Sequence, residues 1–85
     1  MMKVVFADQG WDDFTYWVEH DRKVAKRIVR LIHEIPRDPF LGMGKPEPLK
    51  HDLTGFWSRR ITDEHRLVYA VEKNQLLVAQ ARYHY

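Results

Sequence analysis

The chain has 85 residues, which is enough for one small domain and too few for two, so we expect a single domain spanning residues 1–85. Hydrophobic residues make up 45% of it, which excludes the composition of an intrinsically disordered protein. The absence of cysteine excludes disulfides, thiolate nucleophiles and cysteine-based zinc sites. The formal net charge of +2 favours anionic partners only mildly, so any claim about nucleic acid depends on where the basic residues lie.

The N-terminal stretch predicts a strand followed by a helix. Residues 3–7 (KVVFA) have the composition of a short strand, and Asp8 is a candidate N-cap for the segment that follows. Bulky side chains then recur at helical spacing, namely Trp11, Phe14, Trp17 and Val18. This pattern predicts a helix over about residues 9–19 whose bulky face lies on a sheet, with Asp13 off that face. Because the stretch holds no long apolar run, we expect no signal peptide, no membrane span and a cytoplasmic protein.

A second amphipathic helix is predicted next, with Asp21 as its N-cap and Pro36 at its end. Its apolar positions have the spacing of one buried face: Val24, Ile28, Leu31, Ile32 and Ile35. Basic residues form a stripe on the opposite face, which we call the basic stripe: Lys23, Lys26, Arg27, Arg30 and His33. Such a stripe is more often a solvated surface than a binding site, and docking to RNA remains the alternative interpretation.

Residues 36–48 (PRDPFLGMGKPEP) are predicted to form a constrained loop, because all four prolines of the chain lie there. Each proline fixes its own φ and pushes the preceding residue toward an extended conformation. Loops of about this length within a compact domain commonly carry function. Glu47 lies between Pro46 and Pro48, and stiff backbone of this kind suits a carboxylate that must be aimed.

From residue 49 onward the hydrophobic pattern changes to period two, which predicts strands. A short extended piece around residues 49–53 is expected first, followed by a turn at Thr54 and Gly55. The main strands are predicted around residues 57–62, 66–71 and 75–85. Short turns between them predict an antiparallel meander. The whole order gives an α+β domain with two N-terminal helices packed on one face of a mostly antiparallel sheet, the other face being open.

The predicted sheet carries more cations than a buried surface can hold. They are Arg59, Arg60, His65, Arg66, Arg82 and His84, preceded by Lys45, Lys50 and His51. Several must therefore gather on the uncovered face and form a positive surface of phosphate size. Aromatic rings lie among them, namely Trp57, Tyr69, Tyr83 and Tyr85. Interleaved rings and cations suit single-stranded RNA, with core packing as the alternative, which we adopt for Tyr69 and leave open for Tyr85.

RNA cleavage without a metal requires a base for the 2′-hydroxyl proton, an acid for the leaving oxygen and cations for the phosphoryl charge. Each of these residue types is present. A metal-dependent reaction is disfavoured, since the chain has no HExxH motif, no closely spaced carboxylate pair near the basic residues and no cysteine. We therefore expect neither a metal nor a cofactor. One glutamate and one histidine are weak evidence by themselves.

Longer motifs carry a resemblance to a known family. The run KPEPLKHDLTGFWSRRITDEHRLVYAV at residues 45–71, RYHY at residues 82–85 and WDDFTYW in the first helix resemble the YoeB toxins, a branch of the RelE/ParE toxin superfamily. The resemblance covers nearly the whole chain and implies a RelE-like microbial RNase-type fold. It implies a metal-free endoribonuclease that cuts mRNA in the ribosomal A site, leaves a 2′,3′-cyclic phosphate and halts translation. It also implies inhibition by a cognate antitoxin protein and is compatible with a homodimer.

The same resemblance implies roles for individual residues. The glutamate of KPEPLKH, Glu47, corresponds to a general base, and the histidine of RYHY, His84, to a general acid. The arginine of EHRLVY, Arg66, corresponds to the group that stabilises the transition-state phosphate. The other matches to the family's site are the basic Lys50 and Arg60, and Tyr85 beside the target nucleotide.

Two other functions are compatible with parts of the sequence. A ParE-like toxin of the same fold would inhibit a protein target such as DNA gyrase without cutting RNA, but it has no need of an acid and base pair such as His84 and Glu47. A plain RNA-binding module would use the basic stripe alone. We combine this last function with the first, as a hypothesis that the stripe docks ribosomal RNA while the sheet cuts mRNA. The residues expected to contact the ribosome are Lys23, Lys26, Arg27 and Arg30.

Overall fold

The structure is a computed structural model that describes residues 2–83, so the predicted site residues His84 and Tyr85 lie outside the described residues. Its elements are β1 (Lys3–Phe6), α1 (Asp8–His20), α2 (Arg22–Glu34), β2 (Glu47–Pro48), a 3-10 turn (His51–Leu53), β3 (Trp57–Arg60), β4 (Arg66–Glu72) and β5 (Gln75–Gln80). The predicted α+β class is confirmed. Neither helix of the described chain is long and apolar enough to cross a membrane.

The two helices begin in different ways. Asp21 is the N-cap of α2, as predicted, and its Oδ1 accepts the backbone N–H of Lys23 at 3.1 Å and of Val24 at 3.3 Å. The N-cap of α1 is Ala7, without a side-chain cap. The prediction that Asp8 caps this helix was wrong, because Asp8 is already helical. Its carboxylate lies in the first turn, where the helix dipole favours negative charge.

Helix α1 contacts the sheet through a narrower face than its bulky residues predict. The buried positions are Gly10, Asp13 and Trp17, whereas Trp11 and Val18 of the predicted face are exposed. Glycine allows this contact, since a Cβ at Gly10 would lie 2.3 Å from a backbone carbonyl oxygen of β5. The expected orientation of the bulky face was therefore wrong in part.

Helix α2 supplies the larger share of the helical core. Its buried face is formed by Ala25, Ile28, Leu31 and Ile32, followed by Ile35 after the helix and by the partly buried Val24. The spacing predicted from the sequence is confirmed at these positions, with Ala25 added. The same cluster includes side chains of the sheet and its flanks, namely Ile61, Leu67, Tyr69, Leu76, Val78 and Ala81. Burying this apolar surface is the main source of stability.

The five strands form one sheet in the order β1-β5-β4-β3-β2. Only β1 and β5 pair in parallel among these strands, and the meander of β3, β4 and β5 is antiparallel as predicted. The extended piece expected at residues 49–53 is misplaced, since the strand is Glu47–Pro48 and His51–Leu53 form a 3-10 turn. Glu47 therefore lies on a sheet edge strand and not in the loop before it.

Strand pairing separates two faces of the sheet. Residues paired across strands point to the same face, and successive residues point to opposite faces. Leu67 and Tyr69 of β4 belong to the helical core, so their partners Arg59 and Trp57 point to the helix-covered face. The alternate residues, Glu47, Ser58, Arg60, Arg66 and Val68, point to the opposite face. We call it the open face because Glu47 and Arg60 on it are exposed, although Ser58 and Val68 are buried.

Candidate active site

The register brings three predicted site residues onto the open face. Glu47 pairs with Ser58 across β2 and β3, and Arg60 pairs with Arg66 across β3 and β4. Ser58 and Arg60 are two residues apart, so the two pairs form adjacent rows on the same face. The backbones of Glu47 and Arg66 are separated by two strand spacings and by two residues along the strands, which together give about 12 Å, and Arg60 lies beside Arg66 on the intervening strand. A carboxylate and two guanidinium groups can therefore approach one ligand from both sides.

Glu47 is presented to solvent on a short, stiff strand. It is exposed, and its carboxylate makes no hydrogen bond or ion pair with any residue from 2 to 83. The strand is fixed beyond it by the Leu49 N–H, which donates to the Phe56 carbonyl oxygen at 2.9 Å. The backbone is thus held while the side chain remains exposed.

Arg59 does not belong to the cationic surface, because it is fully buried on the helix-covered face. Its guanidinium forms an ion pair with Glu34 at 3.0 Å and its Nε donates to the Tyr69 hydroxyl at 3.1 Å. Both terminal nitrogens donate to carbonyl oxygens of the proline-rich loop, those of Asp38, Leu41 and Met43. Every nitrogen of this buried cation therefore has a partner, and the loop that leads to Glu47 folds around it.

Tyr69 completes this clamp from the sheet. Its hydroxyl donates to the Pro39 carbonyl oxygen at 2.7 Å while it accepts from Arg59. Burial raises the pKa of Tyr69 above its ordinary value of 10.0, and the hydrogen bond and positive charge of Arg59 offset part of that rise. The assignment of Tyr69 to core packing is confirmed, since its side chain is fully buried.

Arg60 is held by its backbone and leaves its side chain exposed. Its N–H donates to the Gly44 carbonyl oxygen at 2.7 Å, and its own carbonyl oxygen accepts from Arg27 Nη2 at 3.1 Å. Gly44 has φ +85°, and a Cβ there would lie 3.1 Å from the Arg60 carbonyl oxygen. Only glycine meets both conditions easily.

The basic stripe divides into two kinds of residue. Arg27 is half-buried and bound to the end of β3, so it is not a purely solvent-facing cation. The other members are exposed, namely Lys23, Lys26, Arg30 and His33. Lys50 is also exposed, three residues beyond Glu47, where its carbonyl oxygen accepts the Leu53 N–H at 3.2 Å.

The segment after β5 is anchored to helix α1. The Ala81 N–H donates to Asp13 Oδ2 at 2.9 Å, and Trp17 Nε1 donates to the Ala81 carbonyl oxygen at 2.8 Å. The guanidinium of Arg82 lies 3.7 Å from the ring centroid of Tyr16, a cation–π contact. Arg82 thus binds the helix side and does not join the cations of the open face.

Tyr83 is attached to the start of β4. Its N–H donates to His65 Nδ1 at 2.7 Å, and its carbonyl oxygen accepts the Arg66 N–H at 3.1 Å. The described chain therefore ends beside Arg66. The predicted acid, His84, is the next residue in the sequence and lies outside the described residues, as does Tyr85.

Sequence reasoning missed the residues that hold this segment. The sequence pattern predicts Asp13 and Trp17 within α1 without any role near the C-terminus, and it indicates His65 only as one of the cations of the sheet. One signal was available: Gly10, Asp13 and Trp17 have helical spacing, which marks Asp13 as a carboxylate on a buried face that needs a donor. Within residues 2–83, no group of three or more His, Cys, Asp or Glu side chains is placed to hold a metal ion.

Comparison with known proteins places these features in a family. The family model described as YoeB-like toxin of bacterial type II toxin-antitoxin system matches residues 6–85. Toxin YoeB of Streptomyces coelicolor is 62% identical over 84 residues, which cover 99% of this chain and 100% of that protein. Toxin YoeB of Escherichia coli K12 is 58% identical with the same coverage of both chains.

Solved structures agree with the sequence comparison. The YoeB/ParE toxin from Agrobacterium tumefaciens has a TM-score of 0.96 and 49% identity, covering 99% of this chain and 100% of that one. A YoeB dimer from Staphylococcus aureus has a TM-score of 0.92 and 44% identity, covering 99% and 98%. A heterotetrameric YoeB-YefM toxin-antitoxin complex from the same organism has a TM-score of 0.91 and 43% identity, covering 100% and 99%.

Fold, site and relatives together define a small bacterial protein toxin. The chain belongs to the YoeB-like toxin family of bacterial type II toxin-antitoxin systems. The resemblance read from the motifs is thereby confirmed.

Proposed function

We propose that this toxin is an endoribonuclease that cleaves mRNA in the ribosomal A site and so inhibits translation. The observation that carries the proposal is the register of β2, β3 and β4, which brings Glu47, Arg60 and Arg66 to one open face. A carboxylate beside two guanidinium groups supplies proton removal and charge neutralisation, two of the three requirements of RNA cleavage by side chains. Membership of the YoeB-like family supports the same reaction.

In the proposed reaction Glu47 takes the proton of the 2′-hydroxyl, and the 2′ oxygen attacks the adjacent phosphorus. The bond from phosphorus to the 5′ oxygen breaks, and His84 protonates that leaving oxygen. The products are a 2′,3′-cyclic phosphate and a 5′-hydroxyl end. Further contacts to the substrate come from Lys50, Arg60 and Tyr85.

Arg66 is proposed to stabilise the charge on the phosphoryl oxygens. Its Nη1 is buried and has no hydrogen-bond partner in the described part of the chain. An unpaired buried donor costs free energy, and a phosphate oxygen that accepted from it would recover that cost. Hydrogen-bond donors aimed at developing charge are commonly the largest single contribution to catalysis of this type.

The exposed cations of the basic stripe are proposed to bind ribosomal RNA in the cytoplasm. Lys23, Lys26 and Arg30 are exposed along one side of α2, and Arg27 adds positive charge beside them. Replacing Lys26 and Arg30 together with glutamate should weaken binding to ribosomes and reduce its dependence on salt. Sedimentation with ribosomes across a salt series measures both. An unchanged salt slope would make the stripe an ordinary solvated surface.

We propose two protein partners for this chain from its relatives. One Staphylococcus aureus relative forms a dimer, and another forms a heterotetramer with the antitoxin YefM. A cognate antitoxin is accordingly expected to silence the toxin, and a second copy of the chain is expected to form a homodimer. Analytical ultracentrifugation of the toxin with and without the product of the neighbouring gene tests both.

Replacing Glu47 with glutamine tests the reaction most directly. The amide keeps the shape and removes the base, so A-site cleavage should fall by about 100-fold or more. Toeprinting on mRNA translated in a purified system measures it. Glu72→Gln on β4 is the matched control, since Glu72 is also an exposed glutamate at a strand end, and should cleave normally.

Two results would overturn the proposal. Full cleavage by Glu47→Gln would remove the base from the mechanism. Intact mRNA with wild-type toxin, accompanied by gyrase-dependent DNA breaks, would support the ParE-like function instead.

A further inference from the structure

We propose that His65 is a positioning residue of this site, whose Nδ1 holds the Tyr83 backbone N–H and so fixes the C-terminal segment beside Arg66. The inference rests on the proposed function, in which the following residue, His84, supplies the acid. His65 itself touches neither the substrate nor the reacting atoms in this scheme. Its contribution is to hold the backbone of Tyr83, the last described residue, beside Arg66.

The backbone and the ring of His65 are held by contacts that do not involve Tyr83. The backbone N–H of His65 donates to Thr62 Oγ1 at 3.1 Å, and its backbone carbonyl oxygen accepts from the backbone N–H groups of Ile61 and Thr62 at 2.9 and 3.2 Å. Its ring packs edge-on against Trp17, with the centroids 4.7 Å apart at 74°. Backbone and ring are therefore both held, which leaves Nδ1 as an acceptor at a fixed point.

The hydrogen bond also determines the tautomer of His65. A backbone N–H can only donate, so Nδ1 must carry its lone pair and the ring proton must be on Nε2. The N···N distance of 2.7 Å places both atoms within hydrogen-bonding range. His65 is thus committed to an accepting role toward Tyr83.

Tyr83 has a conformation that needs such a partner. Its φ of +58° lies in the left-handed region, which non-glycine residues seldom adopt. Such a conformation persists when several surrounding contacts enforce it. Here the N–H of Tyr83 is bound to His65, the residue before β4, and its carbonyl oxygen to Arg66, the first residue of β4.

Different side chains hold successive residues of the segment that follows β5. Asp13 and Trp17 hold Ala81, and Tyr16 holds the guanidinium of Arg82. Within residues 2–83, His65 is the side chain that holds the backbone of Tyr83. Losing its acceptor should therefore release the end of the segment while Ala81 stays anchored.

Two substitutions separate the acceptor from the ring. His65→Phe keeps a ring against Trp17 and removes the acceptor. His65→Asn removes the ring, and its amide oxygen can take the position of Nδ1. We expect His65→Phe to lower kcat for cleavage on programmed ribosomes about 10-fold with little change in KM, since a misplaced acid slows the chemical step more than binding. His65→Asn should recover most of that loss.

A readout independent of activity is the exchange of the Tyr83 amide proton in the full chain. Its exchange should accelerate about 10-fold in His65→Phe and stay near the wild-type rate in His65→Asn. The Ala81 amide, bound to Asp13, should be unaffected in both variants and serves as the internal control. In the wild type, a scalar coupling across the hydrogen bond between Tyr83 N and His65 Nδ1 should be detectable by NMR, and this measurement needs no variant to fold.

The outcomes distinguish the inference from the function on which it rests. The positioning role would be overturned if the wild type cleaves mRNA, His65→Phe is equally active and the exchange rate of the Tyr83 amide in His65→Phe is unchanged. An undetectable coupling between Tyr83 N and His65 Nδ1 in the wild type would also overturn it. A wild type that does not cleave mRNA would overturn the proposed function, and the exchange and coupling data would still decide whether His65 holds the segment. Equal defects in His65→Phe and His65→Asn, with normal Tyr83 exchange in both, would also count against the inference.

Discussion

Arg59 and Arg60 are neighbours in the sequence, and their side chains lie on opposite faces of the sheet. Arg59 points to the helix-covered face, is fully buried and has a partner for every guanidinium nitrogen. Arg60 points to the open face, and its side chain remains exposed. The residue type is the same at both positions and does not distinguish them. Strand alternation alone buries one of them as a clamp for the proline-rich loop and leaves the other exposed on the open face, where we propose that it contacts the substrate.

Removing the buried arginine should produce the largest effect. Arg59→Met leaves three loop carbonyl oxygens and the partly exposed Glu34 without their common donor, and because each part-buried group left unpaired costs about 1–3 kcal/mol, the total loss should be about 3 kcal/mol or more. Urea unfolding followed by circular dichroism measures the change. Arg60→Met is the matched control and should change the free energy of unfolding by less than about 0.5 kcal/mol. Equal stability of the two variants would contradict the division between the faces.

Replacing Arg60 should lower the cleavage activity and leave the stability of the fold nearly unchanged. Arg60→Gln removes a cation that we propose contacts the substrate, and losing one hydrogen bond to a charged group costs about 1.5–3 kcal/mol, or about 10- to 100-fold in kcat/KM. Single-turnover cleavage on programmed ribosomes measures this at unchanged thermal stability. Cleavage at the wild-type rate would remove Arg60 from the proposed site.

Tyr69→Phe tests the clamp with a smaller change. The hydroxyl bonds both Arg59 and the Pro39 carbonyl oxygen, so its loss should cost about 1–3 kcal/mol of folding free energy. The raised pKa of Tyr69 adds a dependence on pH, because the unfolded chain loses this proton at a lower pH than the folded chain. That stabilising contribution is complete below about pH 10 and is lost as the pH rises through the higher pKa of the folded state.

The stability of the wild type should therefore fall more steeply above pH 10 than that of Tyr69→Phe. Urea unfolding at several values between about pH 8 and 11 gives both slopes. Parallel slopes would mean that Tyr69 ionises equally in the folded and unfolded chains.

Arg27→Gln should have the smallest effect of the series. The substitution removes one donor to the Arg60 carbonyl oxygen, a partly solvated hydrogen bond that contributes about 0.5–1.5 kcal/mol. Lys23→Gln is the control on the same helix, with an exposed side chain and the same loss of charge. Thermal unfolding of the pair distinguishes a structural Arg27 from a purely surface one. Identical melting temperatures would return Arg27 to the solvated part of the basic stripe.

Much of the fold could be read from local patterns, and the errors have a common cause. The buried face of α2 and its Asp21 cap follow from periodicity and capping chemistry, which act within a few residues. The contact face of α1 does not, since it depends on how closely Gly10 approaches β5, far away in the chain. The short strand at Glu47 was likewise placed a few residues too late, because a two-residue edge strand has no period of its own.

The candidate site shows the same division. Motifs in the sequence selected Glu47, Arg60 and Arg66, and the register brings these three to one face. The burial of Arg59 could not be predicted from the sequence, because period two places neighbours on opposite faces without saying which face a helix covers. Nor could the sequence connect His65 with Tyr83, which are 18 residues apart and meet only when β5 folds back beside β4.

By itself, then, the sequence determined the order and type of the main elements and the residues that we propose for acid-base chemistry on RNA. It could do so because helical and strand periods, caps and proline constraints are local properties of the chain. The tertiary structure alone decided which arginine is buried, which face of α1 meets the sheet and what holds the C-terminal segment beside Arg66. These features depend on contacts between residues that are far apart in the sequence. Such contacts form, and contribute to the free energy of folding, only when the sheet has assembled.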